Sequence, residues 1–173
     1  MSPEPITSEI VEPDEDLPRD LLALRELAWW LDAAFPIPGM RRRVGIAPVL
    51  GLVPGLGDAV VALLGIWIVI GGLRHRVPGS KIVRMVLNIL VDLIIGAIPV
   101  VGDIFDFLFQ ENLTNIDILF KARDRNREPR SMWKVALVAT AISSLIALVA
   151  AMTVVATIAA FLWLSQKLLV GAI

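Results

Sequence analysis

The residues best suited to chemistry are polar side chains at helical spacing in an otherwise apolar stretch. Asn88 and Asp92 precede a Pro-Gly turn, and Asp103 and Asp106 follow it. If the chain folds back at this turn, Asp92 would face Asp106. At similar depth, Asn88 would face Gln110. Their oxygens are hard ligands, so we expect a proton or cation site, with Asp92 and Asp106 as ligands of a bound cation such as Ca²⁺ or Mg²⁺.

A different interpretation of these carboxylates remains open. Asp92 and Asp106 could share one proton, or they could join Arg84 in a structural network without any ion. The sequence does not distinguish these interpretations.

A Gly-x-x-Pro-x-x-Gly-Asp motif occurs twice and contributes one carboxylate in each copy. The copies match at a constant offset of 45 residues, with Gly51, Pro54, Gly57 and Asp58 corresponding to Gly96, Pro99, Gly102 and Asp103. Paired, interrupted apolar segments indicate membrane binding sites made from broken helices, although repeats can be purely structural. Asp58 and Asp103 each follow a turn and precede an apolar run, so each is either a helix N-cap or part of the site.

The composition disfavours other kinds of site. The chain has no cysteine, which removes disulfides and thiolate ligands, and its single histidine, His75, cannot form a multi-histidine metal site within one protomer. We find no nucleophile–base arrangement and no phosphate-binding loop, so we expect no enzymatic activity. No nucleic-acid partner is expected either.

The elements that must position these residues are apolar enough for a bilayer. Hydrophobic residues make up 57% of the 173 residues, whereas soluble domains have about 45–50% on a broader definition. Residues 44–73 contain Asp58 as their only charge, and residues 135–166 contain none. Trp133 and Trp163 stand at the two ends of the second stretch, as interfacial anchors of a membrane-crossing helix do.

We therefore predict an all-α membrane protein with two broken or re-entrant helical hairpins and one C-terminal transmembrane helix. An amphipathic helix that lies in the membrane interface precedes the hairpins. The predicted parts are a disordered acidic tail at 1–17, a twin-motif membrane domain at 18–120, a basic linker at 121–131 and the transmembrane helix at 132–170.

Assembly and topology follow from the same patterns. Backbone polar groups at two hairpin tips cannot face lipid, so we expect a homo-oligomer. Small residues at every fourth position of the last helix offer a packing surface, at Ala139, Ser143, Ala147 and Ala151. Basic blocks flank the first segment, at Arg41, Arg42, Arg43, Arg74 and Arg76. They are topology signals or contacts for lipid headgroups, and two hairpins would place Arg43, Arg76 and Arg127 together on the cytoplasmic side.

The sequence resembles the membrane proteins that carry the domain of unknown function 4112. The resemblance covers roughly residues 25–120 and rests on Leu31-Asp32, Phe35, Pro38-Gly39, Arg43, Gly45, Pro48, Gly51, Pro54-Gly55, Gly57-Asp58, Asn88, Asp92, Gly96, Pro99, Gly102-Asp103, Asp106, Asn112 and Asn115. It implies a prokaryotic inner-membrane location but no established activity. Two functions stay open: a cation or proton channel or transporter with an intramembrane acidic site, and a non-transporting scaffold that binds lipids or partners.

Overall fold

The computed structural model describes residues 17–40, 42–51, 56–98 and 101–170, and these are mainly helical. The elements are α1 (Arg19–Asp32), β1 (Phe35–Pro36), β2 (Arg43–Val44), α2 (Ala47–Leu50), α3 (Leu56–Arg74), α4 (Gly79–Gly96), α5 (Val101–Leu108), α6 (Glu111–Ala122) and α7 (Met132–Val170). The strands pair antiparallel, with Phe35 opposite Val44. The predicted acidic tail lies almost wholly outside the described residues, as do Arg41, Pro54 and Pro99.

Helix α3 is the centre of the bundle and packs against α1, α4, α6 and α7. Its consecutive residues Ile68 and Val69 are both fully buried. Because consecutive helical side chains point about 100° apart, partners must cover α3 on more than one side. Its exposed side chains form one stripe, at Leu56, Val60, Leu63 and Trp67.

The end of α3 is a tight turn that sends the chain back as α4. Arg76 adopts the left-handed conformation, with φ of 60°, and the Val77 amide donates to the Gly72 carbonyl at 2.9 Å. This hydrogen bond is the usual closure of a helix that ends on a left-handed residue. Pro78 then precedes α4, and its carbonyl accepts the Ile82 amide at 3.1 Å. Helices α3 and α4 thus form an antiparallel pair.

The first predicted hairpin is wrong in its incoming arm. In its described residues that arm consists of β2 and the four-residue α2, whereas the outgoing arm is the 19-residue α3. Helix α1 packs antiparallel to α3 instead, because Asp20 at its start contacts Arg74 and His75 at the end of α3. Gly57 and Gly102, at the starts of α3 and α5, lie at the opposite end of the bundle, where α2 contacts α5.

This arrangement also separates the basic blocks. Arg43 lines the same pocket as Asp58, near the start of α3, whereas Arg74 ends that helix, which is about 28 Å long at about 1.5 Å per residue. The expectation that all the basic blocks lie together is therefore wrong for Arg43. The linker at 121–131 does lie beside Arg74, since the Arg130 amide donates to the Arg74 carbonyl at 2.7 Å.

The second predicted hairpin corresponds to α4 packed against α5, but its outgoing arm is broken. Helix α5 ends at Leu108 and α6 begins at Glu111. Gln110 has φ of −91° and ψ of 80°, which no helix accommodates. The polar residues predicted along one continuous helix therefore lie on two.

Helix α7 packs on the bundle with only its first half. Val135, Ala139, Ile146 and Ala150 are buried, and residues 155–164 beyond them are exposed apart from a half-buried Thr157. Of the predicted small-residue stripe, Ala139 is buried and Ala147 and Ala151 are exposed. The face of α7 that packs on α3 and α4 is therefore rotated from that stripe and includes Val135 and Ile146.

Two described helices, α3 and α7, are long and apolar enough to cross a membrane. They differ in environment, because 67% of the apolar window of α3 is buried inside the protein and only 11% of that of α7. The outer surface of the bundle is apolar as well: α4 exposes a helical stripe at Val83, Leu87, Val91 and Ile94. Apolar residues outside and acids inside form the pattern expected of a protein in contact with lipid.

Candidate functional site

The last residue of α1, Asp32, caps the start of another helix. One of its carboxylate oxygens accepts from the Asn112 side-chain amide at 3.0 Å, and the other accepts from the Leu113 backbone amide at 2.8 Å. These amides belong to the first turn of α6, where unpaired N–H groups and the helix dipole favour an anion. Burial raises the pKa of Asp32 to about 6, although the hydrogen bonds from Leu113 and Asn112 oppose that rise.

Glu111, the first residue of α6, is buried with few partners. Only 2% of it is exposed. Its Oε1 accepts from the Asn115 side-chain amide at 3.3 Å, and its Oε2 has no hydrogen-bond partner among the described residues. Burial raises its pKa well above the usual range, the charges of Asp92 and Asp32 raise it further, and the Asn115 hydrogen bond opposes them. This environment favours the protonated acid.

Asn115 connects this acid to α4. Its side-chain amide also donates to the Met85 carbonyl at 3.2 Å, and its side-chain oxygen accepts from Asn88 at 2.8 Å. Asn115 is fully buried. Its hydrogen bonds therefore fix the spacing between α6 and α4 at the depth of Glu111.

Four carboxylates line one pocket at this end of the bundle. Asp32 and Glu111 are joined there by Asp58, the third residue of α3, and by Asp92 of α4. Asp58 is 4% exposed and Asp92 is half-buried. Among the described residues that line the pocket, Arg43 is the one cation. The charges of Asp92 and Asp32 raise the pKa of Glu111, so ionising these carboxylates together is costly.

The rim of the pocket is held by Arg43 and Gln110. The Arg43 guanidinium donates to the Ala33 carbonyl at 2.7 Å and to the Ala34 carbonyl at 3.0 Å, just past the end of α1. The Gln110 side-chain amide donates to the backbone carbonyls of Asp32 at 2.8 Å and Arg43 at 3.0 Å. These bonds pin β2 and the α5–α6 break against α1. Arg43 therefore has an internal structural role, with its guanidinium also 5.6 Å from the Trp29 ring centre.

The second glycine of each motif makes a close backbone contact. A Cβ on Gly57 would lie 1.9 Å from the Leu50 carbonyl oxygen, and one on Gly102 would lie 2.2 Å from that of Gly96. No side chain fits at either position. Helices α3 and α5 begin at Leu56 and Val101, which correspond at the motif offset (101 minus 56 is 45). Asp58 and Asp103 are thus third residues of their helices, where the helix dipole favours a negative charge.

The structure brings together some of the predicted site residues and not others. Asp58 and Asp92 line the pocket, and Asn88 is linked to it through Asn115. The predicted pairing of Asn88 with Gln110 is wrong, because the break before α6 turns Gln110 toward Arg43. The side chains of Asp103 and Asp106 lie outside the described residues, so the proposed approach of Asp106 to Asp92 stays a prediction.

Sequence reasoning missed Asp32, Glu111 and Asn112 as members of the site. A signal existed for Asp32, because it lies one turn after Ala28 on the apolar face of α1. For Glu111 and Asn112 there was no such signal. They lie off the polar stripe that the sequence shows after Pro99, and in the structure they begin a new helix.

The other predicted binding roles are not assigned by the geometry. Within the described part of the chain, no group of three or more acidic, histidine or cysteine side chains is arranged to hold a metal ion. Among the arginines predicted to contact lipid headgroups, Arg74 pairs with Asp20 at 3.1 Å. Arg76 donates to the Glu128 carbonyl at 3.0 Å, and Arg42 donates to the Leu108 carbonyl. Lipid contact by these arginines stays a prediction.

Comparison with known proteins assigns a family. No protein with a curated function and no solved structure matches the chain. The family described as "Domain of unknown function (DUF4112)" matches residues 20–123, which include α2 to α6, all of α1 except Arg19, and every residue of the acidic pocket. The chain therefore belongs to the DUF4112 family.

Proposed function

We propose that this protein is a small oligomeric membrane protein that moves protons or small cations by way of its buried acidic pocket. The observation that carries the proposal is the convergence of Asp32, Asp58, Asp92 and Glu111 on one pocket. They come from four different helices, α1, α3, α4 and α6. Asp32 caps the start of α6 and Asp58 lies in the first turn of α3, but no such role accounts for Asp92 in the middle of α4. Buried acids in contact with a pocket in a lipid-facing bundle are characteristic of ion and proton pathways.

The bundle geometry supports a polar path along α6. From the pocket, the hydrogen-bonded amides of Asn115 and Asn88 lead away along the interface of α6 and α4. Thr114, the residue before Asn115 on α6, is also half-buried. Such a series of polar groups between apolar helices is what a hydrated pathway requires.

We place the end of the bundle that carries Arg74 and residues 121–131 on the cytoplasmic side of a prokaryotic inner membrane. The positive-inside bias supports this orientation. The pocket then lies toward the opposite leaflet. Gly57 and Gly102 of the two motifs lie at that end of the bundle, and backbone polar groups at re-entrant tips there must be covered by protein or a partner subunit.

The proposal is tested by flux into proteoliposomes. Purified full-length protein is reconstituted, a K⁺ diffusion potential drives cations inward, and an entrapped dye reports protons while labelled Na⁺ reports alkali cations. Wild type is expected to conduct well above protein-free vesicles. Asp92→Asn and Glu111→Gln should each lower the flux at least about tenfold, since each removes a charge site in the low-dielectric pocket.

Asp117→Asn is the matched control. Asp117 lies on α6 but outside the pocket, where it pairs with Lys121 at 2.9 Å. This variant should keep most of the flux. Wild-type flux equal to that of empty vesicles would remove the transport proposal.

A scaffold function is the second candidate and is favoured by the opposite end of the bundle. Lys121 and Arg127 are exposed there, with side chains 74% and 70% accessible. The linker is fixed in place, because the Asp124 amide donates to the His75 carbonyl at 3.2 Å. A fixed basic surface next to a bilayer would attract anionic headgroups. Binding to anionic vesicles without any flux would favour this candidate.

A further inference from the structure

We propose that the pocket contains a binding site for one monovalent alkali cation, with Glu111 Oε2 and Asn112 Oδ1 as its protein ligands. The inference rests on the proposed role of the pocket in handling small cations. It goes beyond that role by naming two ligand residues and the charge of the bound cation.

Two buried oxygens without partners point to the ligand. Glu111 and Asn112 are 2% and 1% exposed, and Glu111 Oε2 and Asn112 Oδ1 have no hydrogen-bond partner among the described residues. Both side chains line the pocket. A buried oxygen acceptor left without a donor is costly, more so when it is charged, so two of them on consecutive residues call for a partner. When Glu111 is ionised, a cation satisfies both oxygens.

Both side chains approach the α3 backbone at Gly65. A Cβ added to Gly65 would lie 3.0 Å from Glu111 Oε1 and 3.1 Å from Asn112 Oδ1. The two side chains are therefore brought together at one point, where any larger residue on α3 would displace them. The space inside the pocket is about what one water molecule or one small cation needs.

The ligand set indicates the charge of the cation. It consists of one carboxylate and one amide oxygen, and within the described residues no three acidic side chains are arranged around one ion. Divalent cations take six or more oxygens, or strict octahedral geometry with several carboxylates or waters. A single anionic ligand with a neutral amide therefore matches a single positive charge better.

The experiment measures thermal unfolding of the full-length protein in detergent. The five tryptophans report unfolding by fluorescence. At one fixed alkaline pH, NaCl is titrated against choline chloride at equal ionic strength. Na⁺ is expected to raise the Tm saturably, by roughly 3–5 °C at tenfold excess over its Kd, and choline is expected not to.

Three variants connect the effect to the site. Glu111→Gln should abolish the Na⁺-dependent shift. Gly65→Ala, which places a methyl group beside both ligands, should weaken Na⁺ binding about tenfold, a change of about 1.4 kcal/mol. Gly79→Ala is its control and should leave binding unchanged, because a Cβ at Gly79 meets nothing within 4 Å. If Glu111→Gln does not fold, comparison of Na⁺ binding by Gly65→Ala and Gly79→Ala still tests the proposed site.

The outcomes separate this inference from the transport proposal. Equal Tm in NaCl and choline, or an equal Na⁺ shift in Gly65→Ala and Gly79→Ala, overturns the cation site even if proton flux is present. A Ca²⁺ shift at lower concentration than Na⁺, with the same dependence on Glu111, also overturns it in favour of a divalent site. A site-dependent Na⁺ shift without any flux supports the inference and removes the transport proposal instead.

Discussion

Ionisation of Asp32 should make the protein less stable as the pH rises from about 4 to about 6. In the folded state its pKa is about 6, raised by burial from the ordinary value of 3.8. The folded protein therefore binds a proton more tightly than the unfolded chain does. Stability from this group is fully present below pH 3.8 and is lost as the pH rises through 6. The difference of about two pH units corresponds to about 3 kcal/mol.

Asp32→Asn tests this prediction. The variant loses one hydrogen bond to the start of α6 at every pH, but it has no carboxylate to ionise. It also removes one of the charges that raise the pKa of Glu111. Its stability should therefore fall less than that of wild type between pH 4 and pH 7. Over this range the Tm of Asp32→Asn should fall by roughly 6–12 °C less than that of wild type, taking about 2–4 °C per kcal/mol for a chain of this length.

The assay is tryptophan-monitored thermal unfolding of the full-length protein in detergent across this pH range. Asp117→Asn is the control and should follow the wild-type profile, because Asp117 lies outside the pocket. Parallel profiles for wild type and Asp32→Asn would refute the reasoning. They would mean that Asp32 is solvated or paired with a cation in the folded protein.

Other predictions concern backbone contacts and the amide network. Gly45→Ala should prevent stable folding, because its Cβ would lie 1.8 Å from the Leu31 carbonyl oxygen, while Gly79→Ala should unfold like wild type in the same thermal assay. Arg76→Gly should raise stability by about 1 kcal/mol by relieving the left-handed conformation, with φ of 60°; a lower Tm would show that the Arg76 side-chain contact outweighs that strain. Asn115→Ala should cost about 3 kcal/mol, since it leaves buried polar partners on α4 and α6 unpaired; an unchanged Tm would contradict the network.

Local signals in the sequence predicted much of the helical framework. The long C-terminal helix, the breaks at the Pro-Gly motifs and the reversal near Pro78 are set by apolar run length and by proline and glycine chemistry, which act over a few residues. Hairpin pairing could not be predicted in the same way. Helix α3, which follows the first motif, has α1 as an antiparallel partner because Asp20 contacts Arg74 and His75. These residues are far apart in the chain, so no local sequence pattern predicts the contact.

In the pocket too, some residues were predicted from local sequence signals and others were not. Asp58, Asp92 and Asn88 were found from the sequence because they are polar residues at helical spacing in apolar segments. Glu111 was not, because its burial depends on the break at Phe109 and Gln110. That break is stabilised by the Gln110 hydrogen bonds to Asp32 and Arg43.

The sequence by itself determined that the chain is apolar, helical and punctuated by two matching turns, because hydrophobicity and turn chemistry are properties of neighbouring residues. Only the tertiary structure decided which acids share a pocket. Asp32 reaches Asn112 across 80 positions of the chain, and that contact exists because α1, α3, α4 and α6 pack around one point. Packing of distant helices sets the burial and the mutual distances of their carboxylates, and these two quantities decide how readily each carboxylate ionises.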